Sequence, residues 1–189
     1  LFVDGVDVTK IPLQQLRTAM GVVPQDTLLF SKSIGENIAY GKPEATFAEI
    51  QKAAENSQIL HDIKRFPDQF DTLVGEKGVT LSGGQKQRTA IGRALITDPR
   101  ILILDDALSS VDTYTEEKIL KHLHMIMDER TAIIVSHRIS TIKNADLIIV
   151  LDKGQIIEKG DHASLIEMQG MYARIYKKQL LQDALRNDD

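Results

Sequence analysis

A short, continuously apolar run near the middle of the chain constrains the fold more than any other feature. Ile101–Leu104 lacks the alternation of apolar and polar residues that marks a half-exposed strand. Such a run is typical of a parallel strand that helices cover on both faces. A second strand, Ala132–Val135, is also wholly apolar, and Thr113–Asp128 before it has the periodicity of an amphipathic helix. The sequence therefore predicts an α/β fold with a parallel sheet.

Polar side chains follow both apolar strands directly. Asp105 and Asp106 come after the first strand, and Ser136 and His137 come after the second. Ligands of parallel sheets bind beyond the carboxyl ends of the strands. Adjacent carboxylates at that place suit Mg²⁺, which takes oxygen ligands and keeps several waters. The alternative is a solvated loop that caps the next helix, and the repeated arrangement after the second strand favours the metal site.

The segment Leu81–Gln85 has the pattern of a helix start. Ser82 is a good N-cap residue, and Gln85 three positions later completes a capping box. Gly83 and Gly84 allow another group to approach the backbone closely. The free N–H groups and the positive end of the helix dipole then favour an anion. An ordinary capped helix with two space-saving glycines is the alternative.

Together these motifs resemble the nucleotide-binding domain of an ABC transporter of the exporter type. The likeness runs from Leu1 to about Gln179. The matching motifs occur in family order: Gln25 as the Q-loop glutamine, Thr72–Gly78 as the X-loop, Leu81–Gln85 as the signature, Ile101–Asp105 as Walker B, Ser109–Asp112 as the D-loop, and His137 as the switch histidine.

The resemblance implies a P-loop NTPase (RecA-like) core with an inserted α-helical subdomain. Residues 1–44 would form the core with the Q-loop, and 45–97 the helical subdomain with the X-loop and signature. Residues 98–165 would complete the core, and 166–189 would form a C-terminal helix and tail. The sequence contains no G-x-x-x-x-G-K-[ST] phosphate loop. We therefore expect the chain to be the C-terminal piece of a longer protein; natural loss of the loop is the alternative.

The same resemblance implies ATP and Mg²⁺ as cofactors and gives roles to particular residues. Asp105 would hold Mg²⁺ through water, and Gln25 would reach toward Mg²⁺ and the attacking water. His137 would contact the γ-phosphate and that water. The signature and D-loop would bind the nucleotide held by the opposite subunit, through Ser82, Gly83, Gly84, Gln85 and Asp112.

The chain departs from the family pattern at Asp106, where the family normally has a glutamate that polarises the attacking water. Aspartate is shorter by one methylene, and a misplacement of about 1 Å in a catalytic group can cost on the order of 100-fold in rate. This combination resembles the unequal halves of heterodimeric exporters, which is the interpretation we favour. A homodimer in which the backbone shifts and Asp106 works adequately is the alternative.

The resemblance implies two partners: a second nucleotide-binding domain, bound head to tail, and transmembrane domains on the same full-length chain. The protein would then act at the cytoplasmic face of the cell membrane. Its own apolar runs are only strand-sized, whereas a membrane span needs about 20 apolar residues.

The net charge of −4, with mixed signs, predicts no nucleic-acid partner. The chain has no cysteine, which excludes disulfides and thiolate metal sites.

Two other functions compete with the exporter motor. A soluble ABC-type ATPase of DNA maintenance would also carry the signature and Walker B motifs, but it is expected to show long heptad-patterned segments, which the sequence lacks. A non-catalytic regulatory module that has lost its phosphate loop is the other candidate. The sequence leaves the transported substrate open, because the substrate path belongs to membrane segments.

Overall fold

The chain folds as two units, Leu1–Val135 and Ser136–Asp189. The computed structural model describes residues 1–75, 79–128 and 130–187. The X-loop predicted at Thr72–Gly78 thus lies partly outside the described residues. The division into four functional segments, with boundaries after residues 44, 97 and 165, stays a prediction.

The first unit starts with a small hairpin and then alternates between strands and helices. The hairpin and the elements after it are β1 (Phe2–Val3), β2 (Val6–Asp7), α1 (Leu13–Thr18) and β3 (Met20–Val23). Four helices follow, namely α2 (Ile34–Ala39), α3 (Phe47–Asn56), α4 (Leu60–Ile63) and α5 (Gly83–Leu95). The unit ends with β4 (Ile101–Asp105), α6 (Thr113–Met127) and β5 (Thr131–Val135).

The three longer strands of this unit form a parallel sheet in the order β3-β4-β5. The register pairs Val23 with Leu104 and Asp105 with Val135. All three strands therefore end at one edge, and β4 with its two carboxylates lies in the middle. The predicted parallel α/β fold is confirmed.

Only one face of the central strand is fully buried. Leu102 and Leu104 are 1% exposed and pack in a cluster with apolar residues of α5 and α6. The prediction of burial on both faces is wrong, because Ile101 and Ile103 are only partly buried. The register places Ile103 between Val22 and Ile133, which are both about half exposed. Helices α5 and α6 therefore cover one side of the sheet, and the row through Ile103 lies on the less covered side.

A second apolar cluster joins helices α2, α3 and α4 to both ends of α5. Its fully buried members include Ile34, Ile38, Ala54, Ile59 and Ile63. Residues Leu81 and Ile96, which flank α5, also belong to this cluster, while Ile91 and Ala94 of α5 belong to the sheet cluster. Helix α5 thus packs against the sheet and against the helical segment, which fixes its N-terminus relative to both.

The second unit contains a strand hairpin packed by three helices. Its elements are α7 (Ile139–Ile142), β6 (Ile148–Asp152), β7 (Gln155–Gly160), α8 (His162–Glu167) and α9 (Met171–Asn187). Ile139, Ile148, Leu165 and Tyr172 form its buried core. Among the residues that the structure describes, no helix is long and apolar enough to cross a bilayer.

Candidate nucleotide site

Two carboxylates stand at the end of the central strand. Asp105 is the last residue of β4 and is exposed, whereas Asp106 is partly buried. The backbone N–H of Asp106 donates to the carbonyl of Val135 at 2.8 Å, which ties the loop to the neighbouring strand. Asp106 has a φ of 45°, a left-handed conformation in which aspartate and asparagine are enriched among non-glycine residues. The sheet therefore fixes the backbone that carries both acidic side chains.

Gln25 lies at the same edge of the sheet as the two carboxylates. Gln25 is exposed and follows the end of β3, the parallel neighbour of β4. Gln25, Asp105 and Asp106 thus all lie at or just beyond the carboxyl ends of two adjacent strands. His137 belongs to the second unit, where its backbone carbonyl accepts a hydrogen bond from Gln179. Its approach to the carboxylates stays a prediction.

The signature segment forms the capping box that the sequence predicts. Gln85 donates its N–H to the Ser82 hydroxyl at 3.3 Å, and the Gln85 side-chain oxygen accepts the N–H of Ser82 at 2.9 Å. The Gln85 amide nitrogen also donates to Asp62 of α4 at 3.0 Å. Both ends of the Gln85 side chain therefore hold the helix start in place, and its contact with nucleotide stays a prediction.

The exposed part of the helix start is made by Ser82 and Gly83. The first N–H groups of a helix have no intrahelical carbonyl partner, so those of Gly83 and Gly84 remain available to an anion. The dipole of α5, a helix of 13 residues, adds positive potential at the same place. This end of α5 can therefore bind phosphate oxygens.

The D-loop packs directly against the two signature glycines. A β-carbon on Gly84 would lie 2.9 Å from the carbonyl oxygen of Ser110, and one on Gly83 would lie 3.0 Å from the Ser110 β-carbon. The distance at Gly84 leaves no room for a side chain, whereas at Gly83 the Ser110 side chain would have to move by only a few tenths of an ångström. Contact within the chain alone therefore favours a glycine at position 84.

A buried glutamine, Gln87, links the signature helix to the D-loop. Its side chain is 4% exposed, its amide nitrogen donates to the Ser109 hydroxyl at 2.9 Å, and its oxygen accepts the Ser110 N–H at 2.9 Å. The motif analysis missed this residue. A signal was present, because Gln87 shares the buried face of α5 with Ile91, and a polar residue on such a face needs hydrogen-bond partners.

Asp112 closes the D-loop by capping the next helix. Its carboxylate accepts the N–H of Thr115 at 3.0 Å, at the first turn of α6. The hydrogen bond from the Thr115 N–H lowers the pKa of Asp112 below its ordinary value. The carboxylate is thus kept ionised, which stabilises the helix start. Its contact with nucleotide stays a prediction.

A charged network holds the segment after Gln25 against α5. The Arg93 guanidinium donates to the carbonyl of Leu28 at 2.9 Å and to the carbonyl of Asn37 at 2.8 Å. The buried Asn37 side chain bonds the N–H and carbonyl of Phe30, and the Phe30 ring lies below Arg93. The chain that follows the Q-loop is thereby attached to the same helix that carries the signature.

The donors at the sheet edge suit a divalent cation that keeps most of its waters. Asp105 offers exposed carboxylate oxygens and Gln25 an exposed amide oxygen. Mg²⁺ is typically held by one or two carboxylates together with substrate phosphates rather than by a full protein cage. Among the residues that the structure describes, no group of three or more His, Cys, Asp or Glu could hold a metal ion.

Gln87→Leu should disturb the D-loop while preserving the volume of the side chain. Two hydrogen bonds disappear, and each such loss costs about 1 kcal/mol, more where a group stays buried and unpaired. The freed loop should slow single-turnover ATP hydrolysis by about tenfold, since small displacements of catalytic parts have large effects. We would measure hydrolysis and thermal unfolding of the intact protein. Gln51→Leu, on an exposed position of α3, is the matched control. Unchanged hydrolysis in Gln87→Leu would show that this link is dispensable.

The parallel sheet, the helical segment and the capped signature helix define a nucleotide-binding domain of the ABC class. The family model described as ABC transporter matches residues 1–109, more than half of the chain. The chain therefore belongs to the ABC transporter family. The predicted resemblance and the P-loop NTPase fold class are confirmed.

Similar proteins place the chain with the exporters. It is 44% identical over 184 residues to an ATM1-type heavy metal exporter of Novosphingobium aromaticivorans, covering 97% of this chain and 30% of that protein. It is 48% identical over 177 residues to a probable multidrug resistance ABC transporter ATP-binding/permease protein of Bacillus subtilis, covering 94% and 30%. The chain thus spans less than a third of the length of these relatives.

A solved structure supports the same assignment. A bacterial Atm1-family ABC exporter with ATP bound matches with a TM-score of 0.90 and 45% identity, over 95% of this chain and 32% of that one. The chain has the fold and sequence of the nucleotide-binding domain of an exporter-type ABC transporter. These findings support the exporter assignment over the two alternatives, the DNA-maintenance ATPase and the regulatory module.

Proposed function

We propose that this chain is the part of an ABC exporter that binds and hydrolyses ATP to drive efflux of a substrate across a membrane. The observation that carries the proposal lies in the first unit. The carboxylates at the end of β4 and the phosphate-accepting start of α5 belong to one packed body, joined through the D-loop and Gln87. Phosphate binding at the start of α5 and hydrolysis at the carboxylates can therefore change together when two such domains meet.

At the chain's own ATP, Asp105 and Gln25 would hold the metal and Asp106 would orient the attacking water. His137 contacts the γ-phosphate and that water. Catalysis of phosphoryl transfer consists mostly of positioning and of stabilising charge on the transferred group. A bound Mg²⁺ would supply positive charge against the negative charge that develops on the phosphates. The exposed oxygens of Asp105 and Gln25 suit such an ion.

The signature acts on a second ATP, which the opposite domain holds. Ser82, Gly83 and Gly84 present hydroxyl and N–H donors to its phosphates, while Gln85 and Asp112 keep the signature and D-loop in shape. The two domains pair head to tail, so each site uses residues of both. With aspartate at position 106, we propose that the two sites are unequal and that the partner is a different chain.

The remaining partners follow from the same assignment. Transmembrane domains on the full-length chain would receive the movement that accompanies ATP binding and hydrolysis. The nucleotide-binding domain would lie at the cytoplasmic face of the membrane. The name of the Bacillus subtilis relative joins ATP-binding and permease functions in one protein. The segment from Leu28 to Phe30, attached to α5 through Arg93, is suited to pass movement from the Q-loop to the signature.

His137→Ala tests the proposed function. Loss of a contact made in the transition state should lower the single-turnover rate of ATP hydrolysis by about 100-fold. ATP affinity should change little, because such a contact acts on kcat rather than on KM. Rapid-quench hydrolysis and ATP titration of the intact exporter would measure both. His61→Ala, an exposed histidine of α4, is the matched control. A weakened ATP affinity with an unchanged rate would count against the role.

A further inference from the structure

One side chain of the C-terminal helix holds the backbone on both sides of residue 138. The amide nitrogen of Gln179 in α9 donates to the carbonyl of His137 at 2.6 Å. The amide oxygen of the same side chain accepts the N–H of Ile139 at 2.9 Å. The residue between them is also fixed, because the N–H of Arg138 donates to the Ser136 hydroxyl at 3.0 Å. The segment that carries the switch histidine is therefore bonded at three successive residues.

The Gln179 side chain also caps the start of helix α7. Its N-cap residue, Arg138, makes no capping hydrogen bond through its side chain. The first N–H groups of a helix lack intrahelical acceptors, and the Gln179 oxygen supplies one to Ile139. The Ile139 side chain is 3% exposed and packs in the same core as Tyr172 of α9. Apolar packing and the Gln179 amide thus fix α9 and the start of α7 to each other.

The two hydrogen bonds serve different purposes. The bond to Ile139 caps α7, whereas the bond to the His137 carbonyl sets the peptide plane that follows the histidine. Loss of that bond would let the backbone of residue 137 shift, and a shift of its Cα would carry the imidazole ring with it. A displacement of about 1 Å at a catalytic group can cost on the order of 100-fold in rate.

We propose that Gln179 is a positioning residue for His137 and that α9 is thereby part of the support of the catalytic site. The inference rests on the proposed role of His137 in ATP hydrolysis. Gln179 does not touch the nucleotide in this proposal. It acts by holding the backbone of the residue that does.

Two substitutions separate positioning from simple capping. Gln179→Leu removes both hydrogen bonds while keeping much of the apolar stem. Gln179→Glu keeps an acceptor for the Ile139 N–H, but a carboxylate cannot donate to the His137 carbonyl. If the bond to His137 matters, both variants should lower the single-turnover rate of hydrolysis by about tenfold or more with little change in ATP affinity. Gln182→Leu, at an exposed position of the same helix, should behave like the unmodified protein.

The decisive measurement is a double-mutant cycle with His137→Ala in the full-length exporter. If Gln179 acts through His137, adding Gln179→Leu to the otherwise unmodified protein should slow hydrolysis by about tenfold or more. Adding it to the His137→Ala variant should slow hydrolysis by less than about twofold. Equal losses in both backgrounds, or unmodified rates in Gln179→Glu, would overturn the positioning role and leave only capping. If His137→Ala slows hydrolysis while neither Gln179 variant does, the inference fails and the proposed function stands. If His137→Ala leaves the rate unchanged, the role of His137 fails first and the inference fails with it.

Discussion

Asp106→Glu is expected to raise the single-turnover rate of ATP hydrolysis at the site that contains this chain's Walker B strand, on the order of 100-fold. The added methylene restores the reach that the family's glutamate has toward the attacking water. The bond from its N–H to the Val135 carbonyl holds the backbone at position 106. Rapid-quench hydrolysis with the intact exporter would measure the rate. Asp152→Glu makes the same change at the exposed end of β6 and should have no effect.

Asp106→Asn supplies the complementary result. Asparagine has the same shape and, like aspartate, tolerates the left-handed backbone of this position, so the variant removes charge with little strain. In a heterodimer with unequal sites, total ATP turnover should change little, because this site contributes little. In a homodimer both sites would lose their carboxylate, and turnover should nearly vanish. A near-total loss in the absence of any partner chain would therefore defeat the proposal of unequal sites.

Local features of the fold and site could be predicted from the sequence because their causes lie within a few residues. The apolar run at Ile101–Leu104 is a strand, and the Ser82 capping box is present as the spacing indicates. The acidic pair at the strand end follows from the same local pattern. Family motifs added roles for Gln25 and His137, and those roles stay predictions.

Contacts between distant segments could not be predicted in this way. Gln87 and Ser109 are 22 residues apart, Gln179 and His137 are 42 apart, and Arg93 and Asn37 are 56 apart. Each contact joins residues whose meeting depends on how whole elements pack. The exposure of the row through Ile103 is a similar case, since an apolar run alone does not tell which faces of a strand are covered. The packing of whole elements thus determines which residues position others, whereas the local sequence pattern indicates the candidate reacting residues.

Gly84→Asp should abolish transport and lower ATP hydrolysis by at least about 100-fold. The structure gives two reasons. A β-carbon at this position would lie 2.9 Å from the Ser110 carbonyl oxygen, so the D-loop or the helix start must move. The new carboxylate would also place a negative charge at the N-terminal end of α5, where it would repel the phosphate oxygens of a nucleotide.

The same variant tests whether the signature acts on its own ATP or on that of the opposite domain. Nucleotide binding by the isolated full-length subunit should stay nearly unchanged if, as we propose, the signature faces the ATP of the partner. Ser82→Arg should give the same pattern, since its exposed side chain would fill the space of the partner's phosphates. Gly83→Ala is the milder control, as its β-carbon meets the Ser110 side chain rather than a backbone carbonyl. Equal loss of nucleotide binding in the single subunit would show that the signature contacts its own nucleotide, which is incompatible with head-to-tail pairing of the two domains.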